Sequence, residues 1–344
     1  MRALQLVAPR EMEVQTVADP PDPGPGEVAV RLRACGVCGS DMHYYLEGCT
    51  AGTPAVYPQI LGHEPAGEIA AIGPGVERFK EGDRVAVEPA LICGRCVFCR
   101  TGRRNLCENL RFMGGVQLPG LLREYAVVPV ENVLRLPAEM DFATAAMIEP
   151  VAVLLHSLNL AQLRFGETVA VMGAGPIGLL ALLVSKLAGA STVVVADKVP
   201  HRLKKALDLG ADLAVDVSRE SVSDAVKDLT GGRGAHVIFD AAGKAASLNA
   251  SLHALRPGGR IVVIGIPSER ETPLEFWQGL QQEATIIVQK RNNANDHDAL
   301  ELIESGRLDP RVIVSHNFSL ANGAAAFETM GAYADGVIKP LIEM

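Results

Sequence analysis

An α/β fold in two parts follows from three observations on this 344-residue chain. Short alternating apolar segments broken by glycine and proline run as far as about Val133. The texture changes near Glu149, and beyond it apolar, mostly β-branched runs alternate with helical stretches. The length exceeds what one hydrophobic core usually fills, so two domains of ordinary size are expected. Apolar residues make up 48% and charged residues 21%, a globular composition that excludes long disorder. A net charge of −8 offers no overall basic face and argues against nucleic acid as the partner.

In chain order, Met1–Arg10 holds too short an apolar run for a secretory signal, and Glu11 follows, so the mature chain is expected to start where written. Glu27–Arg33 and Asp83–Val87 alternate apolar and polar residues, which predicts a β-rich, barrel-like first domain; Pro20–Gly26 is a turn cluster inside it. Pro150 suits a helix start and Val151–Leu160 are apolar at helical density, which places a domain boundary here. Thr168–Met172, Thr192–Ala196, Ala235–Phe239 and Arg260–Ile264 then read as buried strands of βαβ units in a parallel sheet. Val169–Ala196 is the one stretch that resembles a membrane span, and Gly173, Gly175, Pro176, Gly178, Lys186 and Gly189 interrupt it, so no membrane is expected. A helix over Pro273–Gln282 precedes the β-branched run Ala284–Val288, an edge strand suited to pairing with a second subunit; a dimer or tetramer is expected. A helix over Asp296–Ser305 and a strand-like tail ending in Val337–Pro340 close the chain.

Cys93, Cys96, Cys99 and Cys107 stand two, two and seven residues apart, a spacing that lets one loop wrap four sulfurs around a single Zn²⁺. Such a site is closed and structural. A catalytic metal must lie elsewhere. Seven cysteines, odd in number and mostly in metal-like spacing, suit a reducing compartment, here taken as the cytoplasm; Cys35 and Cys49 read as buried or half-buried thiols.

Gly173-Ala174-Gly175-Pro176-Ile177-Gly178 follows a predicted strand and opens a predicted helix. In that context the glycines permit the tight turn, the approach of a pyrophosphate and close helix packing, while the helix N-terminus offers free N–H groups to the phosphates. Asp197 ends the second strand 19 residues after Gly178 and is placed to accept from a ribose 2′-hydroxyl, which predicts NAD rather than NADP; Lys198 and Arg202 stand close by in sequence. Asp240–Gly243 and Gly265-Ile266-Pro267 close two later strands at their carboxyl ends and are placed to line the nicotinamide half.

Cys38, His63 and Glu64 combine thiolate, imidazole and carboxylate, the donors a catalytic Zn²⁺ accepts while keeping one position open, and Glu149 stands near the presumed boundary. With these pieces together, the chain resembles the zinc-containing medium-chain dehydrogenase/reductase family, and within it the sorbitol (polyol) dehydrogenases. The matching segments are Cys35–Tyr44, Gly62-His63-Glu64, the four-cysteine lobe, Ile148-Glu149-Pro150, the glycine motif, and Asp197 with Arg202 and Leu203.

The resemblance implies a GroES-like β-barrel catalytic domain over 1–150, completed by 292–344, and a Rossmann-fold doubly wound sheet domain over 151–291. It implies catalytic zinc on Cys38, His63 and Glu64 with Glu149 beside the metal, Ser40 and His43 as a proton route, and Tyr44 and Arg291 against substrate hydroxyls. The expected reaction is hydride transfer from a secondary alcohol of a polyol such as sorbitol or xylitol to NAD, giving the ketose. L-threonine 3-dehydrogenase, butanediol dehydrogenase and simple alcohol dehydrogenase are the neighbouring alternatives, and a non-catalytic nucleotide-binding regulator is the alternative of another class.

Overall fold

The computed structural model describes residues 1–50, 52–267 and 270–344. The chain folds into two compact units, one of Met1–Ala152 with Asn292–Met344 and one of Val153–Arg291.

In the first unit the strand Glu27–Gly36 is the hub. Its alternation buries Val28, Val30, Leu32 and Ala34 on one face. It pairs antiparallel with Glu64–Ile72, with Tyr125–Pro129, and with the C-terminal strand Lys339–Glu343. The last of these pairings sets Leu341 opposite Gly36, so the chain's end completes the sheet on which its beginning was built. A three-stranded sheet of Glu11–Thr16, Arg2–Ala8 and Gln59–Ile60 packs with it around Leu4, Leu6, Leu61, Leu121, Leu122 and Phe327, all fully buried.

The second unit is a six-stranded parallel sheet. Counting its strands along the chain as Thr168–Met172, Thr192–Asp197, Leu213–Asp216, Ala235–Asp240, Leu255–Val263 and Thr285–Val288, their spatial order is 3-2-1-4-5-6. That is the doubly wound order, in which ligands bind at the carboxyl ends where the winding reverses. Every residue of the central strand Thr168–Met172 is buried, as both faces of such a sheet are covered.

Several elements depart from the sequence expectation. The segment after Cys38 is a helix, Gly39–Glu47, and a further unforeseen helix spans Gly323–Ala332. The boundary helix starts at Ile148, so Pro150 sits in its first turn, where the N–H it lacks has no helical partner in any case. It is the stretch Phe142–Ala161, not Val169–Ala196, that is long and apolar enough to cross a membrane among the described residues; 61% of its apolar 18-residue window is buried inside the protein, as befits a core helix. The helix expected over Pro273–Gln282 is confined to Phe276–Gln281, and the tail strand runs over Lys339–Glu343, beyond the expected end at Pro340.

Candidate metal centres and nucleotide site

The antiparallel register that sets Gly36 opposite Glu64 carries the chain's next turn, with Cys38, over His63 and Glu64. Ligand atoms of Cys38, His63 and Glu64 lie within 4.8 Å of one another. Asp41, 1% exposed, ties the two segments together: its carboxylate accepts from the Cys38 N–H (3.0 Å) and the Gly62 N–H (3.2 Å), and lies 3.4 Å from His63 Nδ1. Burial pushes this carboxyl up, but the facing imidazole and the backbone donors outweigh it and hold Asp41 below the usual range. Asp41 therefore orients the imidazole from behind, as outer carboxylates do for metal-bound histidines.

Soft, borderline and hard donors at this spacing fit a zinc ion with one position left over. Glu149 is not among the three clustered donors. It is 9% exposed, and burial pushes its carboxyl up to about 8, with the charges of His63, Glu64 and Glu88 all acting on it. Ser40 Oγ stands 3.4 Å from His63 Nε2. His43, one helical turn on, faces Glu47 (Nδ1 to Oε2 3.1 Å). Tyr44 is only 7% exposed and belongs to the hydrophobic core of its unit, which favours packing over contact with a ligand. Arg291 ends the second unit with φ 54°, and its carbonyl accepts from Gln289 Nε2 at 3.0 Å.

Two residues near the cluster escaped the sequence reading. Lys339 is 1% exposed; its ammonium pairs with Glu64 and donates to the Val37 carbonyl at 3.0 Å. Gly36 makes room for this pair, since a Cβ there would lie 1.9 Å from Glu64 Oε2. The signal was present: a lysine inside the apolar tail Val337–Ile342 must be either at an edge or paired. Phe112 presents its ring 5.2 Å from the His63 ring, and nothing in its local sequence marks it.

The sulfurs of Cys93, Cys96, Cys99 and Cys107 also lie within 4.8 Å of one another. Backbone N–H groups point at them: Cys93 N–H to Cys107 Sγ (3.3 Å) and Cys96 N–H to Cys93 Sγ (3.4 Å). The N–H groups of Arg95 and Cys96 draw the Cys93 thiol down to about 6, while desolvation and the adjacent sulfurs push Cys99 up to about 12. Four thiols so close cannot all ionise without a cation among them, and an all-sulfur set fits tetrahedral zinc.

In the second unit, Gly173 takes φ 97° and turns the chain from the strand Thr168–Met172 into the helix Pro176–Leu187, with Pro176 at its first position. A Cβ at Gly178 would stand 1.7 Å from the Gly173 carbonyl oxygen, so only glycine lets this helix start so close to the strand. Asp197 braces the turn: Oδ2 accepts from Ala174 N–H (2.6 Å), and Oδ1 accepts from the N–H groups of Lys198 (2.7 Å) and Val199 (2.9 Å). The Arg202 guanidinium lies over Gly175, 3.6 Å from where a Cβ would stand. Gly265 packs on Gly243, and Ile266 beyond it is 36% exposed.

A barrel-type unit with a three-donor metal set, and a doubly wound unit with a dinucleotide turn, define a zinc-dependent, nicotinamide-linked oxidoreductase. Residues 24–138 match the alcohol dehydrogenase GroES-like domain, and residues 176–305 match the zinc-binding dehydrogenase domain. The chain belongs to the zinc-containing medium-chain dehydrogenase/reductase family and is an alcohol/polyol dehydrogenase. It is 35% identical over 342 residues to the sorbitol dehydrogenase of Bacillus subtilis (strain 168), covering 99% of this chain and 97% of that one. To the D-xylulose reductase of Saccharomyces cerevisiae it is 34% identical over 350 residues, with 99% and 97% covered. A solved structure from E. coli CFT073, described as a short chain alcohol dehydrogenase complexed with NADH, is similar with a TM-score of 0.90 at 31% identity, covering 100% of this chain and 99% of that one.

Proposed function

We propose that the enzyme oxidises a secondary alcohol of a polyol or sugar alcohol, such as sorbitol or xylitol, to the ketose, with NAD as acceptor. The observation that carries this reading is the set of Cys38, His63 and Glu64 donor atoms within 4.8 Å of one another, with a carboxylate completing the set. Zinc held there supplies the Lewis acidity that makes an alcohol hydroxyl acidic near neutral pH, and bound NAD supplies the hydride acceptor. The chain's own residues do the rest. Asp41 keeps the Cys38 and His63 segments in register, Ser40 Oγ accepts the alcohol's proton while releasing its own toward His43, and His43, 19% exposed, passes a proton to solvent. Glu149 stands beside the donors, Arg291 is assigned to the substrate hydroxyls, and the four-cysteine lobe holds a second, structural zinc.

Asp197 supports NAD over NADP, because a carboxylate at that strand end repels a 2′-phosphate. The outermost position of strand Thr285–Val288 in its sheet supports a homodimer or tetramer formed by pairing with a second copy: Val288 is 78% exposed, and Phe276 and Trp277 on the adjacent helix are 75% and 70% exposed. Seven unpaired cysteines support a reducing compartment, the cytoplasm.

The test is an NAD-reduction screen over C4 to C6 polyols, amino alcohols, vicinal diols and simple alcohols, with zinc measured per chain and Cys38→Ser alongside. Polyols as the best substrates, and a folded Cys38→Ser that loses one zinc and its turnover, are expected. Threonine or butanediol as the best substrate would replace the polyol assignment, and full activity of Cys38→Ser would remove the metal site.

A further inference from the structure

The winding of the parallel sheet reverses between the strands Thr168–Met172 and Ala235–Asp240, the place where such sheets take a dinucleotide. Asp240, the last residue of the second strand, is 0% exposed. Its backbone ties three strands together: the Asp240 carbonyl accepts from the N–H groups of Ile264 (2.8 Å) and Gly265 (2.9 Å), and the Ala241 N–H donates to the Met172 carbonyl (2.9 Å). Its carboxylate turns under the following loop. There it accepts from the N–H groups of Ala242 (2.9 Å) and Gly243 (3.2 Å), and the Ser247 hydroxyl stands 3.0 Å from each of its oxygens. The loops that meet here are almost bare backbone. A Cβ on Gly243 would lie 2.7 Å from the Gly265 carbonyl carbon, one on Gly265 would lie 2.3 Å from Gly243 N, and one on Gly173 would lie 3.3 Å from Ala242 N.

Ala242 N–H, Gly243 N–H and the Ser247 hydroxyl are all donors, the set that suits an ionised, acceptor-only carboxylate. Among the described residues no base pairs with it, and Lys244, the nearest charged residue along the chain, is exposed. Burial raises the carboxyl above its ordinary value in spite of the donors, so the ion is held at the expense of stability. A turn that needed only bracing could be held by an uncharged amide without that expense. Stability given up at a ligand site points to function.

A fixed anion acts unevenly on the two redox states of a nicotinamide cofactor. The pyrophosphate carries the same charge in both, whereas the nicotinamide ring is a cation when oxidised and neutral once it has taken the hydride. We propose that Asp240 is a specificity-determining residue for the redox state of the cofactor, its buried charge shifting the affinity of the site toward NAD⁺ and away from NADH. The proposal rests on the assignment of NAD to the glycine turn. Its consequence for turnover is that the reduced cofactor leaves more readily than it would from the same site without the charge, at a step that often limits such enzymes. At an effective dielectric of about 20, a unit charge acting over roughly 10 Å changes an affinity by on the order of tenfold.

The experiment is equilibrium binding by titration calorimetry on the zinc-loaded protein, without alcohol. The ligands are NAD⁺, NADH, ADP-ribose, which lacks the ring, and benzamide adenine dinucleotide, in which an uncharged ring replaces the cationic one. Asp240→Asn is expected to raise the Kd of NAD⁺ relative to those of NADH and the benzamide analogue by on the order of tenfold. Ser247→Ala removes a donor and keeps the charge, so its NAD⁺ to NADH ratio is expected to stay at the wild-type value. Asp240→Ser removes the charge by a second route and is expected to match Asp240→Asn, which keeps the test open should the amide be refused by the two N–H groups. Loss of the same factor from NAD⁺, NADH and the benzamide analogue in the neutral variants overturns the proposal, since Asp240 would then be a brace of its turn. A wild type that binds neither ADP-ribose nor NAD⁺ removes the dinucleotide assignment itself, and the proposal with it.

Discussion

Replacing Lys339 by methionine keeps the apolar stem and removes the charge that faces Glu64. Both side chains are 1% exposed, so water cannot take the ammonium's place. Removing one partner of a buried pair costs about 3–5 kcal/mol, because the remaining charge is left without compensation. Burial pushes Lys339 down, but the Glu64 carboxylate outweighs it and holds the ammonium above its ordinary 10.5. The share of the pair's contribution that depends on the lysine's charge is therefore lost as pH rises from 10.5 through the folded value. Guanidinium unfolding of Lys339→Met should show that loss in full for the zinc-free protein. The loss should be smaller for the zinc-loaded protein, where the metal supplies positive charge to Glu64. Adding Glu64→Gln should recover part of the zinc-free loss, since it removes the orphaned charge. A Lys339→Met protein within ~0.5 kcal/mol of wild type in both forms, the scatter of an ordinary surface substitution, would refute the reasoning.

Three further outcomes follow from the geometry. Cys96→Ser opens the four-sulfur set, so zinc per chain should fall by one and the unfolding temperature should drop before any change in KM; unchanged zinc content would count against the closed site. Asp240 is fully buried, and that burial raises its carboxyl above the ordinary 3.8 despite the Ala242 and Gly243 N–H groups and the Ser247 hydroxyl. Wild type should therefore lose stability relative to Asp240→Asn as pH rises from 3.8 through the folded value, and urea unfolding of the two at pH 4 and pH 7 should show no such difference if the burial argument is wrong. Asp197→Ala should lower the NAD to NADP ratio of kcat/KM and cost about 1–2 kcal/mol, since three backbone N–H groups lose their acceptor; an unchanged cofactor ratio would reduce the carboxylate to a turn brace.

The extent to which the site was legible depends on chain separation. The four thiols lie within 15 residues and the glycine turn within six, so spacing alone specified their geometry. The helix Gly39–Glu47 escaped because its N-cap is Cys38 with Asp41 as the reciprocal partner, rather than the serine or threonine that usually announces a helix start. The edge helix shrank to Phe276–Gln281 because Pro273 precedes a segment held on Asn249: Glu275 N–H donates to Asn249 Oδ1 at 2.9 Å.

Residue types and local periods by themselves determined the two-part α/β architecture, the sulfur loop and the dinucleotide turn, because each is written within one or two consecutive elements. Only the tertiary structure decided that Cys38 meets Glu64, through strand register, and that Lys339 reaches the same carboxylate from 275 residues away. Long-range pairing of that kind is chosen by the packing of whole sheets, where a shift of one residue would turn each of these side chains to the opposite face.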